Sequence, residues 1–474
     1  MNKITTDPLL NTIVDFVYSE NSFSDNAYKI AKYCLWDSVS CALSSLNEAD
    51  CLRLLGPYVE GTIVPNGVPV FGTNHRLDPM KAAFDMCAMT RWMDFNDTSF
   101  AGGHPSDSIG AVLSVSYFRS QQLKVLGLPE LTMQDVLHGI IQAYEIQGMI
   151  SFANKFDQPS VALDHVIAVK IAASAVVTKL LGGSKEMALA TLGNVFMDGG
   201  TLNAYRHVPN AGPRKSWAGA DAASRSVWHA FNAIKGEPGY QTPLSDPKWG
   251  FEKVFYEGKK IIISESLGSF VLENIIFKFY PCQRNVSTAL EAAIQLHPLL
   301  KNCFEQVKKI TIFSHDEAIR RTDKKGPLTT RAARDHCMQY IVAIGLLKGQ
   351  LTLDDYLDET ANNPLIDSLR EKMVLIENPN FSKNHHDIQI RSCANAIQIE
   401  LVDGSLSELI QVDFPLGDPI HRDRVENAIV DKFQVLSSPV WDEERRNQVM
   451  ELIINDSSFL KTSVTEWMNT LQNC

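Results

Sequence analysis

A chain of 474 residues with 44 Lys and Arg against 55 Asp and Glu has a formal net charge of −11. That speaks against a nucleic-acid binder, which needs a surplus of cations for the phosphates, but leaves room for a local cationic pocket and an anionic substrate. With 45% hydrophobic and 21% charged residues the composition is that of a folded soluble protein, too long for one ordinary core, so two domains are expected.

Nine cysteines lie at 34, 41, 51, 87, 282, 303, 337, 393 and 474, and no two are spaced C-x-x-C. This argues against a zinc ribbon, a thioredoxin-like motif or a sequence-local iron–sulfur framework. The scatter fits reduced thiols in a cytosolic compartment, each acting as a small buried hydrophobe. The first residues, MNKITTDPLLNTIVDFVYSE, have no basic n-region and no uninterrupted apolar stretch. The apolar run 166–181 is broken by Lys170 and Lys179, and nothing reaches the ~20 residues that span a bilayer. A cytoplasmic protein is expected.

In chain order, 9–18 and 26–43 read as amphipathic helices, the second capped by Ser24 or Asp25. Residues 57–72 are Pro- and Gly-rich with alternating Val, a loop or short hairpin. Helical spacing returns over 78–94. After the segment RWMDFNDTSFAGGHPSD (91–107), long helical patterns run over 108–120, 132–156, 165–181, 184–195 and 216–235. Their many Ala, Ser and Gly residues predict close helix packing. Residues 237–260 read as a linker. Beyond it, 259–264, 270–280, 307–314, 396–404 and 406–415 look like strands, the last two forming a hairpin around Asp403-Gly404. Helices are expected at 286–297, 334–347, 421–435 and 441–473. The predicted fold is mainly α with an α+β part. A discontinuous all-helical domain (1–267 and 418–474) carries an inserted α/β domain (268–417).

Segment 91–107 gathers three carboxylates, a threonine and a histidine. On a helix, Asp94 and Thr98 would share a face. Pro105 pushes His104 to an extended conformation, and Ser106 or Asp107 can cap the helix that follows. His104 is then expected at a helix N-terminus, beside backbone donors that suit an anion, where it can act as a base. AGPRKSWAG (211–219) repeats this plan, with Ser216 as cap and Arg214 and Lys215 at the helix start. Cations there oppose the helix dipole, which suggests a bound anion, although a solvated pair of cations explains them too. Residues 197–210 read as an active-site loop. Asp164-His165 opens a helix, and Lys278 ends an apolar run where it must snorkel or pair. Residues 323–340 bring a run of cations and then Asp335, His336 and Tyr340 on a helix. No G-x-G-x-x-G, Walker A, G-x-S-x-G or H-E-x-x-H motif is present. The residue set favours acid–base chemistry on a small polyanion, with no organic cofactor or metal needed.

RWMDFNDTSFAGGHPSD, LDHVIAVK, YRHVPNAGPRKSWAGADAASR, TDKKGPLTTRAARDHCMQY and the pair ANAIQIELVDG, VDFPLG resemble the MmgE/PrpD family, in its PrpD branch, over roughly residues 10–470. The resemblance implies a homodimer with a large helical domain, a smaller α/β lid and the active site between them. It also implies an iron–sulfur-independent elimination of water from 2-methylcitrate, in the methylcitrate cycle of propionate breakdown. Matching motifs carries the family's site to Asp94, Thr98, His104, Lys215, Lys278 and Tyr340, with His165 a looser candidate. In this expectation His104 moves the proton and Asp94 orients it. Lys215 and Lys278, with Arg214, hold carboxylates and the charge that develops; Tyr340 donates to the leaving hydroxyl or a carboxylate. The chain departs from the family at the short AGG before His104 and at CQRN (282–285), where Gln283 and Asn285 replace a histidine common in relatives. The alternatives are decarboxylation of cis-aconitate to itaconate, a side activity on citrate or cis-aconitate, and a non-catalytic dimeric scaffold.

Overall fold

Helix caps set the frame. In the computed structural model, Ser24 accepts the Ala27 N–H at 3.0 Å and starts the helix Asp25–Ser44. Asp78 accepts the Met80 and Lys81 N–H groups and starts Pro79–Arg91, with Pro79 where no amide donor is needed. The structure describes residues 5–207, 211–264, 266–301, 303–387, 389–454 and 456–472. Two compact units emerge: Met1–Ala204, Ser216–Phe277 and Asp423–Cys474 form one, Tyr205–Lys215 and Lys278–Arg422 the other.

The first unit is helical. Pro79–Arg91 and Val166–Leu180 each pack on Ala218–Ile234, through small buried residues such as Ala83, Ala88, Ala173, Ala220 and Ala223. Their size lets the helix axes approach closely, as the composition predicts. The C-terminal segment joins this core. Phe433 and Trp467 both pack edge-on against the buried Trp36, so the chain returns to the unit it began.

The second unit holds a four-stranded sheet in the order Met373–Glu377, Val307–Ser314, Asn395–Leu401, Ile410–Val412. The first pair is parallel and the others antiparallel. The parallel pair requires a crossover, supplied by the helices between 314 and 373, among them Met338–Lys348. That helix and Ser287–Leu300 pack together, with Leu290, Ala293, Ile310, Ile312, Ile341 and Ile397 in the common core.

Two predicted strands are not strands. In 259–264 the Ile261 N–H goes to Glu252 Oε1 and the Ile262 N–H to Asn154 Oδ1, each at 3.0 Å, so side chains replace a neighbouring strand. In 270–280, Phe270–Glu273 is a helical turn, because the Glu145 carboxylate accepts the Gly268 and Val271 N–H groups. Only Ile276 pairs in β fashion, with Thr98. These contacts place 268–277 in the first unit, ten residues beyond the boundary read from the sequence. The other boundary moves to Arg422, and 205–215 joins the second unit. The strand Met373–Glu377 escaped the sequence reading, and the one expected over 406–415 shortens to Ile410–Val412. Loop 57–72 ends in a two-residue ribbon, Val68–Pro69 against Arg76–Leu77. No helix among the described residues is long and apolar enough to cross a membrane.

Candidate active site

The helix Pro79–Arg91 does not continue through the acidic cluster. Asp94 takes φ +51°, a left-handed conformation uncommon for a non-glycine residue. Asp94 and Thr98 therefore share no helical face, which corrects the sequence reading. Thr98 exchanges main-chain hydrogen bonds with Ile276 at 2.9 and 3.0 Å. Its hydroxyl donates to the Gly103 carbonyl at 3.0 Å, and the Ser99 N–H donates to the same oxygen at 3.1 Å. This closed turn delivers His104.

His104 is extended, at φ −127° and ψ 98°, and precedes the short 3-10 turn Pro105–Ser108 and the helix Ile109–Val125. Neither Ser106 nor Asp107 caps that helix. Ser106 instead donates to Asp97 Oδ1 at 2.7 Å and accepts from Asn96 at 2.8 Å. The buried Asp97 carboxylate has the stronger need for donors, and Tyr144 supplies another at 2.7 Å. Burial and the nearby Asp37 push the Asp97 carboxyl up to about 6, against the hydrogen bonds from Ser106 and Tyr144. Fully covered, Asp97 is a support rather than a substrate ligand.

His104 Nδ1 donates to the Asp97 main-chain carbonyl at 2.6 Å, and Nε2 lies 3.4 Å from Asp94 Oδ1. The Arg91 guanidinium holds the same Asp94 oxygen. The His165 ring centre is 6.1 Å from that of His104. His165 stands at the start of Val166–Leu180, but Asp164 makes the cap bond to the Val166 N–H, at 3.1 Å. Asp164 Oδ1 also lies 3.3 Å from His165 Nδ1. The first unit thus brings together Asp94, His104 and His165, with Thr98 shaping the turn between them.

The remaining candidates belong to the second unit. Arg214 and Lys215 lie on the 3-10 turn Pro213–Ser216, and Trp217, not Ser216, occupies the cap of the following helix, with no side-chain bond. Lys215 is buried and donates to both Asp335 oxygens at 3.0 Å. The inference from an unfavourable cation to a bound anion therefore fails at Lys215, because a protein carboxylate already faces it. Asp335 also contacts His336 Nδ1. Lys324, in the run of cations over 323–340, is half-buried; burial lowers its pKa, and Asp335 and Lys215 both act on it. Lys278 is buried and Arg214 half-buried. Tyr340 lies in the core at 2% exposure, and its hydroxyl donates to the Asp355 carbonyl at 2.6 Å. Its pKa is pushed up to about 12, chiefly by burial. With its hydrogen held by the main chain, Tyr340 is a core anchor in this conformation and not the proton donor expected from the sequence. The active-site loop expected over 197–210 ends in Val208, Pro209 and Asn210, outside the described residues.

The turn 282–285 is built into the second unit. Gln283 accepts the Asn285 N–H at 2.6 Å, and the Asn285 carbonyl accepts from Asn395 at 2.9 Å. Nearby, ligand atoms of His315, His385 and Cys393 converge within 4.8 Å. The two imidazoles are stacked, 3.8 Å apart and 21° from parallel. An ion cannot lie in both ring planes, as ligation by both would require, so the group is a poor metal site.

Sequence reasoning missed Asp37, Arg91, Tyr144 and Lys432 behind His104, and Lys324 beside Lys215. An available signal was Asp37 itself, the single charged residue in the run YCLWDSVSCAL (33–43).

In the first unit, a histidine set between a carboxylate and a main-chain carbonyl is an arrangement suited to acid–base chemistry. The MmgE/PrpD N-terminal domain matches residues 12–263 and the MmgE/PrpD C-terminal domain residues 280–456, and the chain belongs to the MmgE/PrpD family. It is 42% identical over 463 residues to the 2-methylcitrate dehydratase of Escherichia coli (strain K12), covering 96% of this chain and 95% of that one. It is 40% identical over 469 residues to the 2-methylcitrate dehydratase of Cupriavidus necator, covering 98% and 96%. The mitochondrial 2-methylcitrate dehydratase of Yarrowia lipolytica is 41% identical over 435 residues, 90% of this chain and 83% of that one.

Proposed function

We propose that this chain is a hydro-lyase that eliminates water from 2-methylcitrate to give 2-methyl-cis-aconitate. The observation that carries the reading is the setting of His104, in a chain similar along nearly its whole length to proteins of that activity. The carbonyl of Asp97 can only accept, so Nδ1 of His104 stays protonated and Nε2 is the atom that exchanges a proton. Nε2 removes the proton from the carbon that bears the methyl group. The imidazolium so formed faces Asp94, which Arg91 holds in place. Electrons of the broken C–H bond form the alkene as the neighbouring C–O bond breaks. The leaving hydroxide takes a proton from His165, which enters the step as the imidazolium facing Asp164 and leaves it neutral, and departs as water. Lys215, Lys278 and Arg214 bind the substrate carboxylates and stabilise the charge that develops α to one of them. Thr98 keeps His104 on its turn. A cytoplasmic homodimer working without an iron–sulfur cluster is part of the proposal.

The test gives metal-stripped protein 2-methylcitrate, citrate and cis-aconitate in parallel and follows the conjugated alkene and its products. Turnover of 2-methylcitrate, much reduced on citrate and lost in His104→Ala, is the expected result. Itaconate from cis-aconitate would make the chain a decarboxylase instead, and activity that appears only after iron is restored would overturn the metal-free reaction.

A further inference from the structure

Behind His104 the contacts lead to a pair of charges that no motif singles out. Asp37, on Asp25–Ser44, is fully covered, and Lys432, on Arg422–Ser437, is 6% exposed. Lys432 Nζ donates to Asp37 Oδ1 and to the Phe95 carbonyl, both at 2.7 Å, and stands 3.9 Å over the Phe95 ring. Asp37 Oδ2 accepts the Asp97 N–H at 3.1 Å. One ion pair therefore clamps the two main-chain groups on either side of Asn96. Ser106 and Tyr144 hold the Asp97 side chain. With its amide and carboxylate both fixed, Asp97 presents its carbonyl to His104 Nδ1 in one orientation.

Stability alone does not account for this pair. Two charges taken out of water regain little more than their desolvation cost, and apolar residues of similar size often stabilise a core better. A buried ion pair with its remaining hydrogen bonds satisfied does fix geometry, because each charge strongly disfavours leaving its partner. The geometry fixed here is that of the one acceptor that decides which His104 nitrogen carries the permanent proton.

We propose that the Lys432–Asp37 ion pair is a positioning device for His104: by clamping the Phe95 carbonyl and the Asp97 amide it sets the Nδ1–H tautomer and aims Nε2 at the reacting proton. This rests on the reading of His104 as the proton-moving group. Asp94, 3.4 Å from Nε2, and His165, across from the ring, are the titratable neighbours that share its environment.

The experiment is ¹⁵N NMR of histidine-labelled protein from acid to alkaline pH, with steady-state kinetics on the same samples. In the unmutated protein, His104 Nδ1 is expected to stay protonated throughout while Nε2 titrates. Asp37→Asn and Lys432→Met should each give a mixture of tautomers and lower kcat about tenfold or more, with little change in KM, as a misaimed group does. Lys432→Arg should recover part of the loss. A neutral His104 protonated at Nε2 in the unmutated protein overturns the proposal with no variant needed. A folded variant that keeps the tautomer and the kcat overturns it, as does a loss of kcat that only follows the folded fraction. Full activity in His104→Ala would instead remove the reading of His104, while the tautomer measurement still decides whether the clamp sets the ring.

Discussion

Gly103 offers a controlled way to move His165 against His104. It has φ +76°, and a Cβ added there would lie 2.9 Å from His165 Cδ2 and 3.3 Å from Cγ. Its neighbour Gly102 has φ +85° with nothing within 4 Å of such a Cβ. Alanine at either position takes on left-handed strain of about 1 kcal/mol, so Gly102→Ala and Gly103→Ala should lose similar stability, a melting shift of about 2 °C. Only Gly103→Ala also pushes the His165 ring. Carbon atoms rest about 3.5 Å apart or more, so the ring must retreat by about half an ångström. Since a displacement of ~1 Å at a reacting group costs about 10²-fold, half of that corresponds to roughly tenfold. The assay is kcat on 2-methylcitrate for both variants, beside their melting temperatures. Matched melting with kcat down about tenfold in Gly103→Ala alone is expected. Equal kcat in the two variants would remove His165 from the reaction.

The ion pair of Lys215 with Asp335 separates binding from folding. Lys215→Met leaves a buried carboxylate opposite an apolar chain and should cost about 3–5 kcal/mol in denaturant melts; adding Asp335→Asn should restore most of the stability but not the turnover, and a fully active double variant would remove Lys215 from substrate binding. Tyr340→Phe takes the donor from the buried Asp355 carbonyl and should cost about 1–2 kcal/mol with turnover nearly unchanged, whereas lost turnover at full stability would return Tyr340 to a donor role. Burial raises the Glu291 carboxyl from 4.5 to about 7, although it accepts the Leu416 N–H. Between those values the folded state holds a proton that the unfolded state has lost, so stability falls as pH rises through the window. Glu291→Gln keeps an acceptor for Leu416 and carries no charge. It should match the unmutated protein near pH 4.5 and exceed it by about 1–3 kcal/mol above pH 7, and a pH-independent difference would contradict the assignment.

Elements that carry their own signals were legible in the sequence. The helix start at Ser24 follows from its capping residue, the helix from Pro79 follows from helical spacing, and the strand Val307–Ser314 and the hairpin around Asp403-Gly404 follow from alternation and turn chemistry. Failures came where a distant side chain took the backbone's hydrogen bonds. Residues 259–264 have a β composition, but Glu252 and Asn154 hold their amides. Residues 270–273 are β-rich, but Glu145 turns them into a helical turn. Local pattern states which conformation a segment prefers, and these segments were decided by acceptors that pattern does not contain.

The same distinction runs through the site. The acids and His104 were visible as a cluster because they are neighbours in sequence, yet the logic of the cluster was not helical spacing. It lies in a turn closed by Thr98 and Gly103 and backed by Asp37 and Lys432, the latter pair 395 residues apart. On the cationic side the error had the opposite sign. Lys215 looked like a bare charge because its carboxylate partner, Asp335, lies 120 residues further along the chain. That pairing changes what a tricarboxylate requires. A lysine already facing a carboxylate adds little net positive charge. On the proposed reading, three negative charges draw on further cations of the second unit beside Lys215, and Lys324, lowered in pKa by burial near Asp335 and Lys215, joins Lys278 and Arg214 as a candidate. Burial lowers the pKa of Lys324, so its charge is lost at a lower pH than that of an exposed lysine.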